Sequence, residues 1–426
     1  MRYYLDLFGC AKNQVDAETL MLCLDRLGWT RAESPETAEA IIVHSCGFIE
    51  TAKQESINAV LEHRAAYPDK KLVLAGCLSQ RYPRELAESL PEADVIFGNR
   101  DFLKLAEAIS SSVPGFKDPS EFVGKRPLLS MPGSAYVKIS EGCDNRCTFC
   151  AIPRIRGRLV CREVDDIVQE CWELLDRGLW ELCLIGQDLA SYRAGSAGLP
   201  ELLEALSRLP GRFWVRLLYL HPDNIPLGLL EGLQKDSRFL PYFDLPFQHA
   251  SARILRAMNR RGNAEAYLVL LDRIRTALPD AVIRSTFLLG FPGETDADFQ
   301  ILLDFQAEAH LDWMGCFTYS REEQTPAYRM KPPVPKPIAE RRRNIIEERQ
   351  TPLSEKQAER FIGRTLDALV EEKIAEGLYL GRLFCHAPEV DGSAVIRAAG
   401  PIRIGSAVPV EVSGRSGFDL EAFVKV

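Results

Sequence analysis

Three short apolar stretches of this sequence each run directly into a cysteine. LDLFGC, AIIVHSC and KLVLAGC end at Cys10, Cys46 and Cys77, which are 36 and 31 residues apart, about one strand and one helix each. Parallel strands joined by crossover helices bring their carboxyl ends to one edge of a sheet, where ligands bind in open α/β folds. The spacing therefore predicts a parallel α/β layer with three thiols at one edge. Three buried cysteines that pack as small apolar residues are the alternative.

Two breaks in the pattern of strand-like and helix-like segments predict the domain boundaries. A stretch rich in Ser, Pro and Gly over 110–134 predicts the first boundary, and the proline-rich MKPPVPKP over 330–337 predicts the second. Between them, six strand candidates alternate with helices. Six strand–helix units are too few for a closed barrel of eight, so we expect a partial, laterally open barrel.

The C-terminal part of the chain predicts a helix followed by a small barrel. A charged segment after the second boundary is typical of a solvent-exposed linking helix with charges paired four residues apart. The remaining tail alternates apolar and polar residues with a period of two, which predicts an antiparallel β-barrel. The predicted domains are 1–112 (parallel α/β), 131–335 (barrel of strand–helix units), 336–360 (linking helix) and 361–426 (β-barrel).

The composition favours a cytoplasmic protein. The sequence has no run of about 18 uninterrupted apolar residues, which a transmembrane helix requires, and its first residues lack the apolar core of a signal peptide. We therefore expect no contact with a membrane. In the cytosol thiols stay reduced, so twelve cysteines indicate ligands or core packing rather than disulfides. The net charge of -8 argues against a surface that is generally coated by nucleic acid.

A second group of cysteines follows the first predicted strand of the middle domain. The segment EGCDNRCTFC places Cys143, Cys147 and Cys150 at C-x-x-x-C-x-x-C spacing. A structural zinc site needs four closed ligands, and no obvious fourth ligand lies nearby. A 4Fe-4S cluster held by three cysteines leaves one iron open for a small chelating ligand. On spacing alone, a zinc site and a chance group of core cysteines are the alternatives.

The chain resembles the radical S-adenosylmethionine (SAM) methylthiotransferases over nearly its whole length. The resemblance rests on this cysteine motif and on five further segments: GCAKNQVDAE, SCGFIETAKQES, GCLSQRY, YFDLPFQHAS and RSTFLLGFPGETDADF. The resemblance implies a radical SAM barrel, a C-terminal TRAM domain, S-adenosylmethionine and two 4Fe-4S clusters. One cluster would cleave S-adenosylmethionine to a radical, and the other would carry the sulfur that is methylated and transferred. The implied ligands are Cys143, Cys147 and Cys150 for the radical cluster and Cys10, Cys46 and Cys77 for the sulfur-donating cluster. A reducing electron donor such as a flavodoxin and a sulfur source are implied as well.

The predicted strand ends of the barrel and the cysteine loop carry the candidate contacts to S-adenosylmethionine. Glycines there let the backbone approach a ligand closely, an arginine can pair with the methionyl carboxylate, and an aromatic ring can lean on the adenine. The candidates are Phe149, Gly186, Gln187, Gln248, His249, Arg284, Gly290 and Glu294. A satisfied core histidine is the alternative for His249, and a plain turn is the alternative for the GFPGE segment.

The family has two branches with different substrates. One modifies an adenosine beside the anticodon of transfer RNA, and the other modifies the β-carbon of an aspartate in ribosomal protein S-twelve. Lys12 and Asn13 after the first cysteine resemble the ribosomal-protein branch, although Ala11 stands where that branch commonly has proline. Residues 363–426 carry seven basic and nine acidic side chains, which suits a basic protein better than a phosphate backbone. The RRR run over 341–343 is the segment that could contact nucleic acid.

A protein of another class is the remaining alternative. A non-catalytic iron–sulfur or zinc protein could use the same cysteines for structure alone and bind RNA through its C-terminal barrel. Iron content and cleavage of S-adenosylmethionine separate the two classes, because only the enzyme needs both.

Overall fold

The computed structural model describes residues 1–110 and 125–425, so the middle of the predicted first linker lies outside the described residues. The chain forms two compact units. The first comprises Met1–Leu129, Ser140–Val160 and Ser320–Tyr328, and the second comprises Ser130–Ile139, Cys161–Tyr319 and Arg329–Val426. The predicted domain boundaries do not coincide with these limits and stay a prediction. In the part of the chain that the structure describes, no helix is both long and apolar enough to cross a membrane.

The first unit is built on a five-stranded parallel sheet with the order β2-β1-β3-β4-β5. Its elements up to the first linker are β1 (Arg2–Leu7), α1 (Ala11–Arg26), β2 (Thr30–Arg31), β3 (Ala40–Ser45), α2 (Glu50–Ala66), β4 (Lys71–Gly76), α3 (Cys77–Arg81), α4 (Pro83–Ser89), β5 (Val95–Phe97) and α5 (Phe102–Ser110). After β6 (Ser134–Lys138), which belongs to the second unit, the segment 140–160 adds β7 (Ser140–Glu141), α6 (Ile152–Ile155) and the start of β8 (Val160–Cys161).

Helices cover both faces of this sheet. The central strand β3 is buried at all six residues, which explains why its sequence is a continuous apolar run and not an alternating one. Ile42 faces α1 and α5, whereas Ile41 and Val43 face α2 and α4. The register pairs Leu5 of β1 with Ile42 and pairs Ile42 with Val73 of β4. The carboxyl ends of β1, β3 and β4 therefore lie side by side.

The second unit contains the six parallel strands that the sequence predicts for the barrel. They form two sheets with the orders β12-β9-β6 and β13-β14-β15. The new elements are α7 (Val164–Asp176), β9 (Glu181–Ile185), β10 (Arg193–Ala194), β11 (Ala197–Gly198), α8 (Leu199–Leu206), β12 (Trp214–Leu217), α9 (Leu229–Lys235), β13 (Tyr242–Asp244), α10 (Ala252–Ala257), α11 (Ala264–Ala277), β14 (Val282–Leu289), α12 (Asp296–Ala309) and β15 (Trp313–Thr318). An isolated parallel bridge pairs Val215 of β12 with Phe239, three residues before β13 begins.

The chain ends in a closed five-stranded barrel. Its strands are β16 (Thr365–Ala375), β17 (Leu378–Leu383), β18 (Ala394–Arg397), β19 (Ala407–Ser416) and β20 (Asp419–Val424), in the order β16-β17-β18-β20-β19. The predicted barrel is confirmed, but it is not antiparallel throughout, because β18 and β20 run parallel. A two-residue sequence period indicates strands without indicating their relative direction.

The linking helix α13 (Lys336–Ala358) is not fully solvated, contrary to the sequence prediction. It packs against β14, β15 and α12, and one face is buried. Arg342 in the RRR run lies on that face and binds Glu294 (2.8 Å) and Asp296 (2.7 Å). The buried face was missed because polar residues such as Gln350 replace the apolar ones that sequence periodicity detects. The central arginine of the run thus stabilises the packing of α13 through these ion pairs.

Candidate functional site

The three N-terminal cysteines lie where the sequence predicts them, at one edge of the parallel sheet. Cys10 lies between β1 and α1, Cys46 directly follows β3, and Cys77 is the first residue of α3 after β4. Because β1, β3 and β4 are neighbours in the sheet, the three loops stand side by side at its carboxyl edge. The predicted placement is confirmed, and the role of the thiols as ligands stays a prediction.

Two glycines allow the cysteine loops to approach each other. Gly9 has a φ of +110°, and a Cβ at this position would lie 3.2 Å from Cβ and 3.4 Å from Sγ of Cys46. A Cβ on Gly47 would lie 2.7 Å from the backbone carbonyl of Cys77. Any larger residue would force the loops apart. The FGC and SCG sequences therefore encode the close packing of the cysteine loops.

Asn13 ties the three strand ends together. Its amide nitrogen donates hydrogen bonds to the carbonyl oxygens of Phe8 (2.7 Å) and Ser45 (2.9 Å). Its amide oxygen accepts from the thiol of Cys77 (3.2 Å) and from the guanidinium of Arg156 (3.1 Å). One side chain thus contacts the ends of β1 and β3 and the cysteine that follows β4. In the sequence, Asn13 indicates only the family branch, and nothing there predicts its structural role.

The thiols influence one another and differ in acidity. The surrounding protein partly desolvates the thiol of Cys10, which raises its pKa. The charges of Lys12 and Arg156 and hydrogen bonds from two backbone amides lower the pKa by more than this, so the net shift is downward. Burial raises the pKa of Cys46, and it raises the pKa of Cys77 to about 12, with the charges of the other thiols adding to the increase. A bound metal centre supplies the positive charge that removes such protons.

The second cysteine triad belongs to the same compact unit as the first. Cys143, Cys147 and Cys150 lie within 140–160 and are all partly buried. The amide of Cys150 donates to the carbonyl of Cys147 (3.1 Å), and the amide of Cys143 donates to the carbonyl of Gly157 (3.2 Å). These bonds fold the segment into a compact loop, in which Phe149 is partly buried.

The donor sets fit iron–sulfur clusters. Thiolates are the ligands that hold such clusters, and three of them leave one iron of a 4Fe-4S cluster open. Across the described residues, no three His, Cys, Asp or Glu side chains are grouped as ligands of a single metal ion. A 4Fe-4S cluster asks for a wider arrangement, because each thiolate binds a different iron. Each triad therefore has the ligand type and number that one cluster needs.

Gln187 is the predicted S-adenosylmethionine contact that most needs a ligand. It follows Gly186 at the carboxyl end of β9, and both its amide nitrogen and its amide oxygen are buried with no hydrogen-bond partner among the described residues. A buried amide without partners costs about 1–3 kcal/mol. Gln248 follows β13, has a φ of +68°, and has its backbone bonded to Thr286 and Leu288 of β14. Both residues stay candidates.

Other predicted contacts have partners within the protein for most of their polar atoms, although Nε2 of His249 is buried with no hydrogen-bond partner among the described residues. Nδ1 of His249 accepts from the backbone amides of Ala250 and Ser251 (both 2.9 Å), and burial lowers the pKa of this histidine to about 3. Glu294 accepts from the amide of Gly290 (2.7 Å) and pairs with Arg342. A Cβ on Gly290 would lie 2.4 Å from Cβ of Ala339, so helix packing explains this glycine. These groups shape the turn that follows β14.

Arg284 does not lie at the strand end where the sequence analysis expected it. It is the third residue of β14, far along the strand from Gly290, and its guanidinium binds Asp244 (3.1 Å) and Asp391 (3.5 Å). Asp391 belongs to the C-terminal region, between β17 and β18. Two carboxylates of the protein already bind Arg284, and its pairing with a methionyl carboxylate stays a prediction.

Three domain families match the chain in the order that its fold shows. Residues 2–98 match the uncharacterized protein family UPF0004, residues 137–305 match the radical SAM superfamily, and residues 362–424 match the TRAM domain. The fold and the cysteine loops thus define a radical SAM protein with an N-terminal α/β domain and a C-terminal TRAM barrel.

Curated relatives narrow the class. The chain is 46% identical to the ribosomal protein uS12 methylthiotransferase RimO of Treponema denticola, covering 98% of this chain and 99% of the relative. It is 38% identical to RimO of Carboxydothermus hydrogenoformans, covering 99% of both, and 39% identical to RimO of Acetivibrio thermocellus, covering 97% and 96%. The chain therefore belongs to the RimO family of ribosomal protein uS12 methylthiotransferases, uS12 being the systematic name of ribosomal protein S-twelve.

A solved structure supports the fold. The radical S-adenosylmethionine methyltransferase TsrM from Kitasatospora setae, with tryptophan and a SAM analogue bound, superposes with a TM-score of 0.54 at 15% identity and covers 74% of this chain and 72% of that chain. At this identity the likeness concerns the fold alone.

Proposed function

We propose that this protein adds a methylthio group to the β-carbon of an aspartate in ribosomal protein uS12, using two 4Fe-4S clusters and S-adenosylmethionine. The observation that carries the proposal is the presence of two cysteine triads in one compact unit of a chain of the RimO family. A non-catalytic metal protein has no need for two such triads and for a radical SAM fold together.

The two triads have different roles in the proposal. The bound clusters, together with S-adenosylmethionine, supply radical chemistry at an unactivated C–H bond and a methylated sulfur for transfer. The loop containing Cys143 to Cys150 holds the radical cluster, and its backbone hydrogen bonds fix the three thiols in place. Cys10, Cys46 and Cys77 hold the sulfur-donating cluster, and Asn13 fixes the strand ends that carry them.

Gln187 provides a test of the cofactor site. Its amide has no partner among the described residues, so we propose that it binds a polar group of S-adenosylmethionine. Gln187→Leu should weaken binding of S-adenosylmethionine about tenfold, since one or two hydrogen bonds of about 1 kcal/mol each are lost. The melting temperature should stay the same or rise, because a buried amide without partners is removed. Equilibrium dialysis of the reconstituted enzyme and calorimetry measure the two quantities.

An exposed glutamine is the matched control for this test. Gln300→Leu removes an exposed amide that donates to Asp304 on the surface of α12, and it should leave the affinity unchanged. Unaltered affinity together with a lower melting temperature in Gln187→Leu would show that Gln187 serves the fold and not the cofactor.

The ribosomal-protein substrate is favoured over transfer RNA. The relatives at 37–46% identity carry the uS12 name, and the TRAM region is slightly acidic, which suits a basic protein. Arg342, the central residue of the RRR run, binds Glu294 and Asp296 and is therefore not available to contact nucleic acid. A reducing donor such as a flavodoxin and a sulfur source are required partners of the proposed reaction. Since the substrate is a ribosomal protein, we place the reaction in the cytoplasm.

Mass spectrometry of the substrate tests the proposal directly. Protein uS12 from a strain that lacks the gene should lose the mass of a methylthio group, and the intact gene should restore it. Transfer RNA from the same strain should keep its methylthio-adenosine. Unchanged uS12 would contradict the proposal, and the loss of methylthio-adenosine instead would assign the chain to the other branch.

A further inference from the structure

Arg156 makes an unusual set of buried contacts at the N-terminal cysteines. Its Nη1 forms ion pairs with Asp16 (2.9 Å) and Glu141 (2.8 Å), whereas its Nη2 donates to the sulfur of Cys77 (3.2 Å) and to the amide oxygen of Asn13 (3.1 Å). The residue is only 6% exposed. Nη1 is thus bound by two carboxylates, and Nη2 is directed at the sulfur of a predicted cluster ligand.

This arginine comes from the loop of the other triad. It lies six residues after Cys150, at the end of the short helix α6. Ala151 and Ile155 of the same segment form a small apolar cluster with Cys77. The segment that follows the C-x-x-x-C-x-x-C motif therefore supplies apolar cover for Cys77 and its charged hydrogen-bond donor, whereas the neutral amide of Asn99 donates at a longer distance (3.5 Å).

We propose that Arg156 is a positioning residue for the sulfur-donating cluster, and that its N–H bond to the sulfur of Cys77 raises the reduction potential of that cluster. The inference rests on the proposed function, since it requires a cluster at Cys10, Cys46 and Cys77. Reduction adds negative charge to a cluster, and hydrogen bonds to its sulfurs stabilise that charge. A charge-assisted donor is stronger than a neutral one, and burial protects this donor from screening by salt.

The two terminal nitrogens of the guanidinium bind different partners, which explains why an arginine is needed. Asp16 and Glu141 neutralise much of its charge at Nη1, so the effect on the cluster depends on the directed bond from Nη2 and less on net charge. A lysine keeps the charge but presents a single ammonium group, which cannot serve the carboxylates and the sulfur from two fixed positions. Arg156→Lys should therefore resemble the loss of the bond.

The experiment measures the potential of the N-terminal cluster alone. The full-length chain carries Cys143→Ala, Cys147→Ala and Cys150→Ala, which remove the radical cluster, and is reconstituted with iron and sulfide. A redox titration followed by electron paramagnetic resonance compares this parent with Arg156→Gln and Arg156→Lys. The control is Arg158→Gln, because this guanidinium is exposed on the same segment and binds Asp144 instead of a sulfur.

We expect the ratio of reduced to oxidised cluster at the parent midpoint to fall about tenfold in Arg156→Gln, a shift of about 59 mV to lower potential for one electron. Arg156→Lys should shift in the same direction, and Arg158→Gln should match the parent. Parent-like midpoints in both Arg156 variants would overturn the inference and leave Arg156 as a structural brace.

The same samples decide three further outcomes. If both Arg156 variants fail to bind the cluster while the metal-free chain melts as the parent does, the bond to Cys77 is part of the cluster site and the positioning role of Arg156 is supported. If the metal-free chain melts at a lower temperature, the role is structural and the inference fails. If the parent itself binds no cluster, the proposed function fails instead.

Discussion

Cys147→Ala should abolish reductive cleavage of S-adenosylmethionine and lower the bound iron from about eight to about four atoms per chain. The reason is local: Cys147 is the middle cysteine of the proposed three-thiolate site, and a cluster with two thiolates has too few ligands to stay bound. Turnover on uS12 should fall to background. Iron analysis after anaerobic reconstitution and chromatography of the cleavage products measure the two effects.

Cys46→Ala is the informative partner of this variant. It removes a proposed ligand from the other triad, so the variant should also bind about four irons. It should retain cleavage of S-adenosylmethionine while losing insertion of sulfur into uS12. Cys161→Ala is the matched control, since this partly buried thiol follows the motif in sequence and accepts a hydrogen bond from the backbone of Arg193. It should keep all the iron and both activities. Full turnover in Cys147→Ala and Cys46→Ala would refute the two-cluster assignment.

The parts of the fold that the sequence predicts best are those with a strong local pattern. The AIIVHS segment is a continuous apolar run because β3 is covered on both faces. The spacing of Cys10, Cys46 and Cys77 indicates neighbouring strand ends because each crossover unit has a similar length. Both signals are read within one or two elements of the chain, and the structure agrees with both.

Contacts between distant segments were not predictable in this way. Arg284 looked like a ligand of the cofactor, but its position near the start of β14 and its pairing with Asp391 depend on where the C-terminal barrel docks. The buried face of α13 was missed because Arg342 and Gln350 do not register as apolar. Arg156 was not among the predicted site residues, since nothing in the local sequence shows that its guanidinium reaches Cys77.

The second unit contains a buried charge network that gives the largest stability effect we expect. Glu181 is completely buried at the start of β9 and binds Arg216 of β12 (2.7 Å) and Arg382 of β17 (2.5 Å). Arg382 also binds Glu371 of β16 (2.8 Å). The carboxylate of Glu181 thus bridges two guanidinium groups that link the strand–helix barrel to the TRAM barrel.

Glu181→Gln should destabilise the second unit by about 3–5 kcal/mol, because it leaves two buried guanidinium groups with one carboxylate, that of Glu371, between them. Denaturant unfolding followed by tryptophan fluorescence measures this, since Trp172, Trp180, Trp214 and Trp313 all belong to the second unit. Glu204→Gln is the control: this carboxylate forms an exposed pair with Arg208, and its loss should cost no more than about 1 kcal/mol. A small effect at Glu181 would mean that water or nearby groups compensate the two arginines.

The same carboxylate predicts how the difference between wild type and Glu181→Gln changes with pH. Burial would raise the pKa of Glu181, but Arg382 and Arg216 more than offset it and lower the pKa from 4.5 to about 2. A carboxylate with a lowered pKa stabilises the folded state fully above its unfolded pKa, and this contribution is lost as the pH falls from about 4.5 towards 2. The free-energy difference between the two proteins should therefore be constant from pH 7 to 5 and narrow by about 3 kcal/mol on further acidification. A difference that stays constant down to pH 3 would show that the arginines do not hold Glu181 ionised.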